Sequence, residues 1–369
     1  MKTAILTFQF AHNYGALLQA YALKQYLKSH DLEGEIAPYY PDWAQSEYAI
    51  SPFAKGISFR RRVRLASQYW KRKGQSEVFD KFISEELDAG DTFSSELELK
   101  KWLETHECVI CGSDQIWNNN ITGNGGAYFA VDCNVKKISY AASLGTTQLN
   151  ETQKSNIINY LPSFSSISVR EPGSAEQLTK ILHREIQVVL DPVFLLDRDE
   201  WRKLSRPVSV DSNYLFLYFL QENEKLLECA KKYAEENGLK IYEVHPTLAT
   251  RHNGCKRLEN VGPKEFIWLI ENASCVCTNS FHATAFSTIF RKKLIHIPNS
   301  KSPERTTSLL ERVGIELKTD KEFPFYDISL CDDTNLNFEI EKSKKFLDAV
   351  MESEQYGLSL IHISEPTRP

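Results

Sequence analysis

The chain has 369 residues, 42% of them hydrophobic, 25% charged and 11% aromatic. That composition excludes a disordered chain, a collagen and a coiled coil, and the length predicts two domains whose cores need no disulfide or metal staple. With 44 basic and 49 acidic residues the net charge is -5, so no overall basic field argues for a nucleic-acid partner.

The first apolar run, residues 4–10, meets polar His12 and Asn13 with no small-residue cleavage site, and reads as a strand rather than a secretion signal. The longest uncharged apolar stretches, about eight to ten residues, fall short of the roughly 20 that a membrane span needs. After a turn at 13–15, residues 17–23 carry helical apolar spacing, and 35–38 return as a short strand. Residues 52–105 are mostly helical and highly charged. A buried strand at 107–112 ends in a polar loop, 113–120, and another strand covers 137–145. Two more, 166–170 and 186–191, flank a helix near 172–183.

A second regular series begins at 214–219. It continues through helices at 225–237 and 264–271, strands at 239–244 and 273–278, a helix after His282 and a strand at 293–297. Strand and helix alternate almost throughout, which predicts an α/β chain with two Rossmann-like halves meeting somewhere near residues 150–210. The division expected is 1–165 and 166–320, followed by a helical segment at 321–357. Residues 358–369 break the preceding pattern and read as a non-native tail, outside the fold.

Eight cysteines are present. Cys108 and Cys111, like Cys275 and Cys277, sit inside apolar runs and suit buried strands, with no second pair at metal-ligand spacing. Reduced cysteines imply a reducing compartment, hence a cytoplasmic location, and the sequons at Asn120, Asn150 and Asn272 then carry no sugar.

In open α/β sheets, ligands bind beyond the carboxyl ends of the strands. Those ends carry Asn13 and Gly15, Asp114, Arg170 and Glu171, Asp191, and Asn279-Ser280-Phe281-His282. The last group is the sharpest, because a strand runs through a polar turn into a helix, where free N–H groups make an anion site. Asn279 and Ser280 also suit plain capping. His282 is harder to dismiss, since a helix N-terminus disfavours its cation unless an anion lies nearby. Arg170, at a strand end before Pro172 and Gly173, suits a bidentate grip on carboxylate or phosphate, or an ion pair with Glu171. Arg305 is a second cation or a solvated loop arginine.

Weaker signals remain. The loop 123–126 lacks the spacing of a phosphate fingerprint. Residues 141–145 look like a nucleophile elbow without its first glycine, so a strand end is the better reading. Residues 59–73 hold seven basic residues and no acid among aromatic and aliphatic ones, which suits a solvated helix or contact with an anionic membrane surface.

Six motifs in order resemble the polysaccharide pyruvyl transferase family across residues 1–320. They are Asn13-Tyr14-Gly15-Ala16-Leu17-Leu18-Gln19-Ala20-Tyr21-Ala22-Leu23, Gly112-Ser113-Asp114-Gln115-Ile116-Trp117-Asn118, Tyr140-Ala141-Ala142-Ser143-Leu144-Gly145, Ser168-Val169-Arg170-Glu171, Leu190-Asp191-Pro192-Val193 and Ser280-Phe281-His282-Ala283. Some family members carry Arg-Leu-His where this chain has Ser280-Phe281-His282, so the histidine carries over and that arginine does not.

The resemblance implies a glycosyltransferase-B-like pair of domains facing each other across a cleft. It implies phosphoenolpyruvate as donor substrate, with no separate cofactor and no metal. The acceptor would be a hexose-containing glycan, with galactose and a 4,6-ketal expected, in a cell-surface polysaccharide or its polyprenyl-linked precursor at the inner face of the plasma membrane. On that basis Arg170, Arg305, Glu171 and the turn from Asn279 to His282 belong to the donor side, with His282 as acid. Asp114 is then base or acceptor ligand, and Asn13, Gly15, Ser113, Gln115, Trp117 and Asn118 line the acceptor side. Two other classes stay open: a sugar-nucleotide glycosyltransferase, which needs a ribose-binding carboxylate such as Glu243 or Glu259, and a glycan-binding protein without catalysis.

Overall fold

The computed structural model describes residues 1–48, 58–123, 125–146, 148–245, 250–298, 304–318 and 322–355. The tail at 358–369 and residues 52–57 of the charged helical stretch lie outside them. The first series is β1 (Lys2–Leu6), α1 (Tyr14–Ser29), β2 (Glu33–Ile36), α2 (Asp42–Glu47), α3 (Phe59–Phe82), α4 (Glu96–Leu103), β3 (Cys108–Cys111), α5 (Asn119–Thr122), β4 (Lys136–Ala142), α6 (Glu151–Tyr160), β5 (Ser166–Val169), α7 (Pro172–Leu182), β6 (Gln187–Val188) and α8 (Arg198–Leu204). The second is β7 (Tyr214–Tyr218), α9 (Glu224–Asn237), β8 (Lys240–Val244), β9 (Cys255–Arg257), α10 (Pro263–Asn272), β10 (Cys275–Thr278), α11 (Phe281–Ile289), β11 (Lys293–His296), α12 (Glu304–Arg312), β12 (Phe325–Asp327) and α13 (Thr334–Gln355).

Among the described residues the strands form two sheets, ordered β2-β1-β3-β4-β5-β6 and β12-β11-β10-β7-β8-β9. Every pairing is parallel except β11 with β12. Read from β9, the second order is the 3-2-1-4-5-6 of a Rossmann fold. In the first sheet the order reverses between β1 and β3, and in the second between β7 and β10. Parallel strands are covered on both faces, which is why β3 (Cys-Val-Ile-Cys) and β7 (Tyr-Leu-Phe-Leu-Tyr) are buried at every residue. Cys108 and Cys111 in β3, and Cys275 and Cys277 in the equally buried β10, lie in buried strands as expected.

The boundary expected at residue 165 moves. β5 pairs with β4, and β6 with β5, so both belong to the first sheet and the second sheet begins at Tyr214. An apolar run signals a strand, but only tertiary pairing decides which sheet takes it.

The two domains share one apolar cluster, which runs from Leu17, Leu18 and Leu23 on α1 through Trp201 to Phe266 and Phe286. The Tyr14 ring stacks on Phe266 (centroids 4.2 Å apart, 3° between planes), and its hydroxyl donates to the Val261 carbonyl at 2.9 Å. After the second sheet, α13 returns to the first domain: Leu190 N–H donates to Ser343 Oγ (2.8 Å), the Tyr26 hydroxyl to Asp348 Oδ1 (2.7 Å) and Lys136 Nζ to the Val350 carbonyl (2.9 Å). Among the described residues no helix is long and apolar enough to cross a membrane.

Candidate active site

Both strand-order reversals open onto one cavity of about 560 Å³. Its first wall comes from the ends of β1 and β3 and from α5: Asn13, Asp114, Gln115, Asn118, Asn120 and Ile121, with Gly145 and Thr146 after β4. The opposite wall follows β7 and β10: Leu220, Gln221, Asn279, Ser280, Phe281 and His282, closed by Arg305 and Thr306 of α12.

Asn13 caps α1, its Oδ1 accepting from the N–H groups of Gly15 (2.9 Å) and Ala16 (3.3 Å). Asp114 adopts the left-handed region (φ 75°) and accepts the Gln115 N–H at 2.8 Å. Asn118 donates to Gln115 Oε1 at 2.9 Å. This amide pair rests on Gly145, whose φ is +67° and where a Cβ would stand 2.3 Å from Gln115 Oε1, so a side chain is excluded twice.

On the facing wall, Asn279 ties two strand ends together. Its Oδ1 accepts from Leu220 N–H (2.8 Å) and its Nδ2 donates to the Gln221 carbonyl (2.7 Å). Ser280 caps α11 by accepting the Ala283 N–H at 3.4 Å. The capping alternative is thus the geometry found for Ser280, whereas the Asn279 side chain bonds the chain just past the end of β7 and caps no helix. His282 follows, buried, and packs face to face with the start of α1: a Cβ on Gly15 would lie 1.8 Å from His282 Nδ1. The N-termini of α1 and α11 therefore meet across the domain boundary at one imidazole.

Beneath this contact lies a buried ion cluster. Arg170 Nη1 donates to Asp191 Oδ2 (2.7 Å) and Nε to Glu171 Oε1 (3.0 Å), while Arg305 Nε reaches Glu171 Oε1 at 3.3 Å. Asp191 also accepts from Ser113 Oγ (2.9 Å), and its Oδ2 lies 3.5 Å from His282 Nε2. Glu171 accepts from Ser143 Oγ at 3.0 Å. Burial pushes the Asp191 carboxyl up, but His282 and Arg170 together outweigh it and hold the group well below the usual carboxylate range. For Arg170, burial acts downward and is overcome by Glu171 and Asp191, which raise its value. Arg305 is lowered by burial and by the neighbouring Arg170.

Several expectations are corrected by this arrangement. Arg170 is not an open cleft cation: the ion pair with Glu171 is the alternative found, and Asp191 holds it as well. Its guanidinium lies 4.2 Å from the Phe281 ring centroid, and of its own nitrogens Nη2 is left without a partner among the described residues. Glu171 is the shared counter-ion of two arginines, not a free ligand. Trp117 is a core residue, 1% exposed, stacked on Phe129 and donating from Nε1 to the Tyr128 carbonyl (3.2 Å), so it offers no face to a sugar. Ser113 likewise works below the floor. Arg305 starts a helix rather than a loop. The spacing of Thr306, Leu309, Leu310 and Val313 carries that helical signal. Asp191, at a strand end, bridges Arg170 and His282.

A profile of the polysaccharide pyruvyl transferase family matches residues 13–301. A search of curated proteins gave no match. Among solved structures, a Listeria monocytogenes protein named as a UDP-N-acetylglucosamine 2-epimerase is 10% identical with a TM-score of 0.55, and the alignment covers 97% of each chain. The UDP-GlcNAc 2-epimerase of Methanocaldococcus jannaschii, solved with UDP-GlcNAc and UDP, is 13% identical with a TM-score of 0.49, over 95% of this chain and 100% of that one. At 10% identity the likeness to the Listeria protein concerns the fold alone, two Rossmann-like domains of the GT-B type. With the family profile covering well over half of its length, the chain belongs to the polysaccharide pyruvyl transferase family.

Proposed function

We propose that this protein transfers pyruvate from phosphoenolpyruvate to two hydroxyls of a hexose, expected to be O4 and O6 of galactose, on a polysaccharide or its lipid-linked precursor. Protonation of the vinyl CH2 leaves an electron-poor C2, to which one sugar hydroxyl adds. The second hydroxyl then displaces phosphate, and the two hydroxyl protons end on the new methyl group and on phosphate. This chemistry consumes no redox cofactor and demands no metal.

The observation that carries the reading is the meeting of two helix N-termini at His282, beside Arg305 and above buried Arg170. Helix starts and an arginine suit a small dianion. His282 is assigned as the acid, with Asp191 orienting it. Arg170 acts as a positioning residue through Asp191 and Phe281, its Nη2 remaining as a donor. Asp114 is assigned as base or acceptor ligand, and Gln115, Asn118 and Asn120 suit the hydroxyls of a sugar. The cavity volume lies in the range typical of small-molecule sites.

Neither carboxylate named for the sugar-nucleotide alternative lines this cavity. Glu243 is buried against His252 Nδ1 (2.7 Å), and Glu259 pairs with Arg251 (2.8 Å).

The test is phosphate release from phosphoenolpyruvate, with and without galactosides, in wild type and His282→Ala. Acceptor-dependent release, with a product heavier by pyruvic acid less water and lost in the variant, is expected. A melting temperature raised by a sugar nucleotide and not by phosphoenolpyruvate would transfer the assignment to a glycosyltransferase.

A further inference from the structure

We propose that the first half of α3 is a docking surface for an anionic phospholipid bilayer. Between Phe59 and Lys73 the chain places seven basic residues and no acid, in a protein whose net charge is -5. The helix is 24 residues long, about 36 Å at the ordinary rise per residue, and its two halves differ in surroundings.

The second half is built into the body. Gln75 Nε2 donates to the Val261 carbonyl at 3.0 Å, Asp80 lies 3.0 Å from His12 Nε2, and the Phe79 ring packs on His12 and Tyr14. Phe79 and Phe82 are each 2% exposed.

The first half turns large apolar groups to solvent. Val63 is 56% and Trp70 78% exposed, and Ala66 between them is exposed too. Positions 63, 66 and 70 follow helical spacing and share one face. Exposed Arg62 begins this face, and Lys73 ends it, with its Nζ 5.7 Å from the Trp70 ring centroid. Tyr69 sets its ring edge-on to Trp70 at 5.4 Å.

A tryptophan and a valine in water, framed by cations, match the boundary between acyl chains and anionic headgroups, with exposed Glu77 paired to Lys73 (3.7 Å) at the far end of the face. A nucleic-acid backbone would meet the charges and leave Val63 and Trp70 in water, so lipid is the occupant that satisfies both halves of the pattern. The anchored half touches Tyr14, next to Asn13 and Gly15 of the cleft, so a docked α3 holds the cleft close to the bilayer. Only this last consequence, presentation of a lipid-linked acceptor, rests on the ketal-transfer reading.

The experiment is sedimentation of the full chain with vesicles of phosphatidylcholine alone and of phosphatidylcholine mixed with phosphatidylglycerol. Binding to the anionic vesicles should exceed that to neutral ones by roughly tenfold or more and fall as salt rises. It should be lost in Trp70→Ser with Val63→Ser, and separately in Arg62→Glu with Lys73→Glu, while melting temperatures stay unchanged. Tryptophan emission should move to the blue on anionic vesicles in wild type and not in Trp70→Phe. Absent binding, equal binding to both vesicles, unaffected variants, or capture of single-stranded DNA with vesicles ignored would each overturn the proposal. Phosphate release with a soluble saccharide is measured in parallel. Activity without vesicle binding removes the lipid surface alone, and vesicle binding without use of phosphoenolpyruvate removes the ketal transfer alone.

Discussion

His282 is fixed from two sides by groups that perform no chemistry of their own, the Gly15 backbone and the Asp191 carboxylate. Gly15→Ala puts a methyl 1.8 Å from Nδ1 and forces the whole ring aside. Displacing a catalytic group by an ångström costs on the order of a hundredfold in rate. On the ketal-transfer reading, with His282 as acid, phosphate release should therefore fall about that much, with far-ultraviolet circular dichroism unchanged. Asp191→Asn removes the charge that compensates buried Arg170. Breaking a buried pair on one side costs about 3–5 kcal/mol, which urea denaturation should register as a lowered midpoint. Trp117 shows where residue-level reading ran out. Flanked by amides and following Asp114, it looks like a sugar platform, yet Phe129 and Tyr128 draw the ring into the core, and nothing in the local sequence announces that pairing. Trp117→Phe should lower stability, by about 1–3 kcal/mol for an imperfect core replacement. The acceptor KM should stay where it is, and a rise would restore Trp117 to the cleft.

Elements were more legible than their partners. Continuous apolar runs identify β3, β7 and β10 as strands buried on both faces, because period and burial are local properties. Short β9, with the exposed or half-buried Cys255-Lys256-Arg257, has no such signature. The same limit explains why β5 and β6 were recognised as strands but expected in the wrong sheet. The placement of α12 illustrates what only packing reveals. His296, fully buried on β11, stands 2.9 Å from Thr306 Oγ1 and 3.0 Å from the Thr278 carbonyl, joining α12 and its Arg305 to the end of β10. Burial lowers this imidazole to about 4, against its ordinary 6.5. Between those pH values the unfolded chain binds a proton that the folded chain refuses. The stability contribution is thus complete above pH 6.5 and declines as pH falls toward 4, by about 1.4 kcal/mol per pH unit for one group. Denaturation midpoints should fall between pH 7 and pH 5 in wild type and fall less steeply in His296→Gln, and equal slopes would dissociate His296 from acid lability.

At the scale of the molecule, the cleft exists because two Rossmann-like domains share a core instead of meeting only through a hinge. Tyr14 stacks on Phe266, Lys264 pairs with Glu86, and Leu17 and Phe286 belong to one apolar cluster. The return of α13 adds a second tie, since it leaves the C-terminal domain and fastens to β4, α1 and the segment after β6 of the other. Arg312 on α12 pairs with Glu339 on α13, so the same helix also holds the element that carries Arg305. Removing it strips Leu190 N–H of its acceptor and takes the buried Leu347, Val350 and Met351 out of the core. Each buried donor left unsatisfied costs about 1–3 kcal/mol, and each lost buried apolar side chain about as much again. A chain ended after residue 333 should therefore melt well below the full protein. Calorimetry should also resolve two transitions where the full chain shows one, because the domains then unfold with one tie instead of two. A single transition at an unchanged temperature would mean that the Tyr14–Phe266 contact and the shared core alone couple the domains.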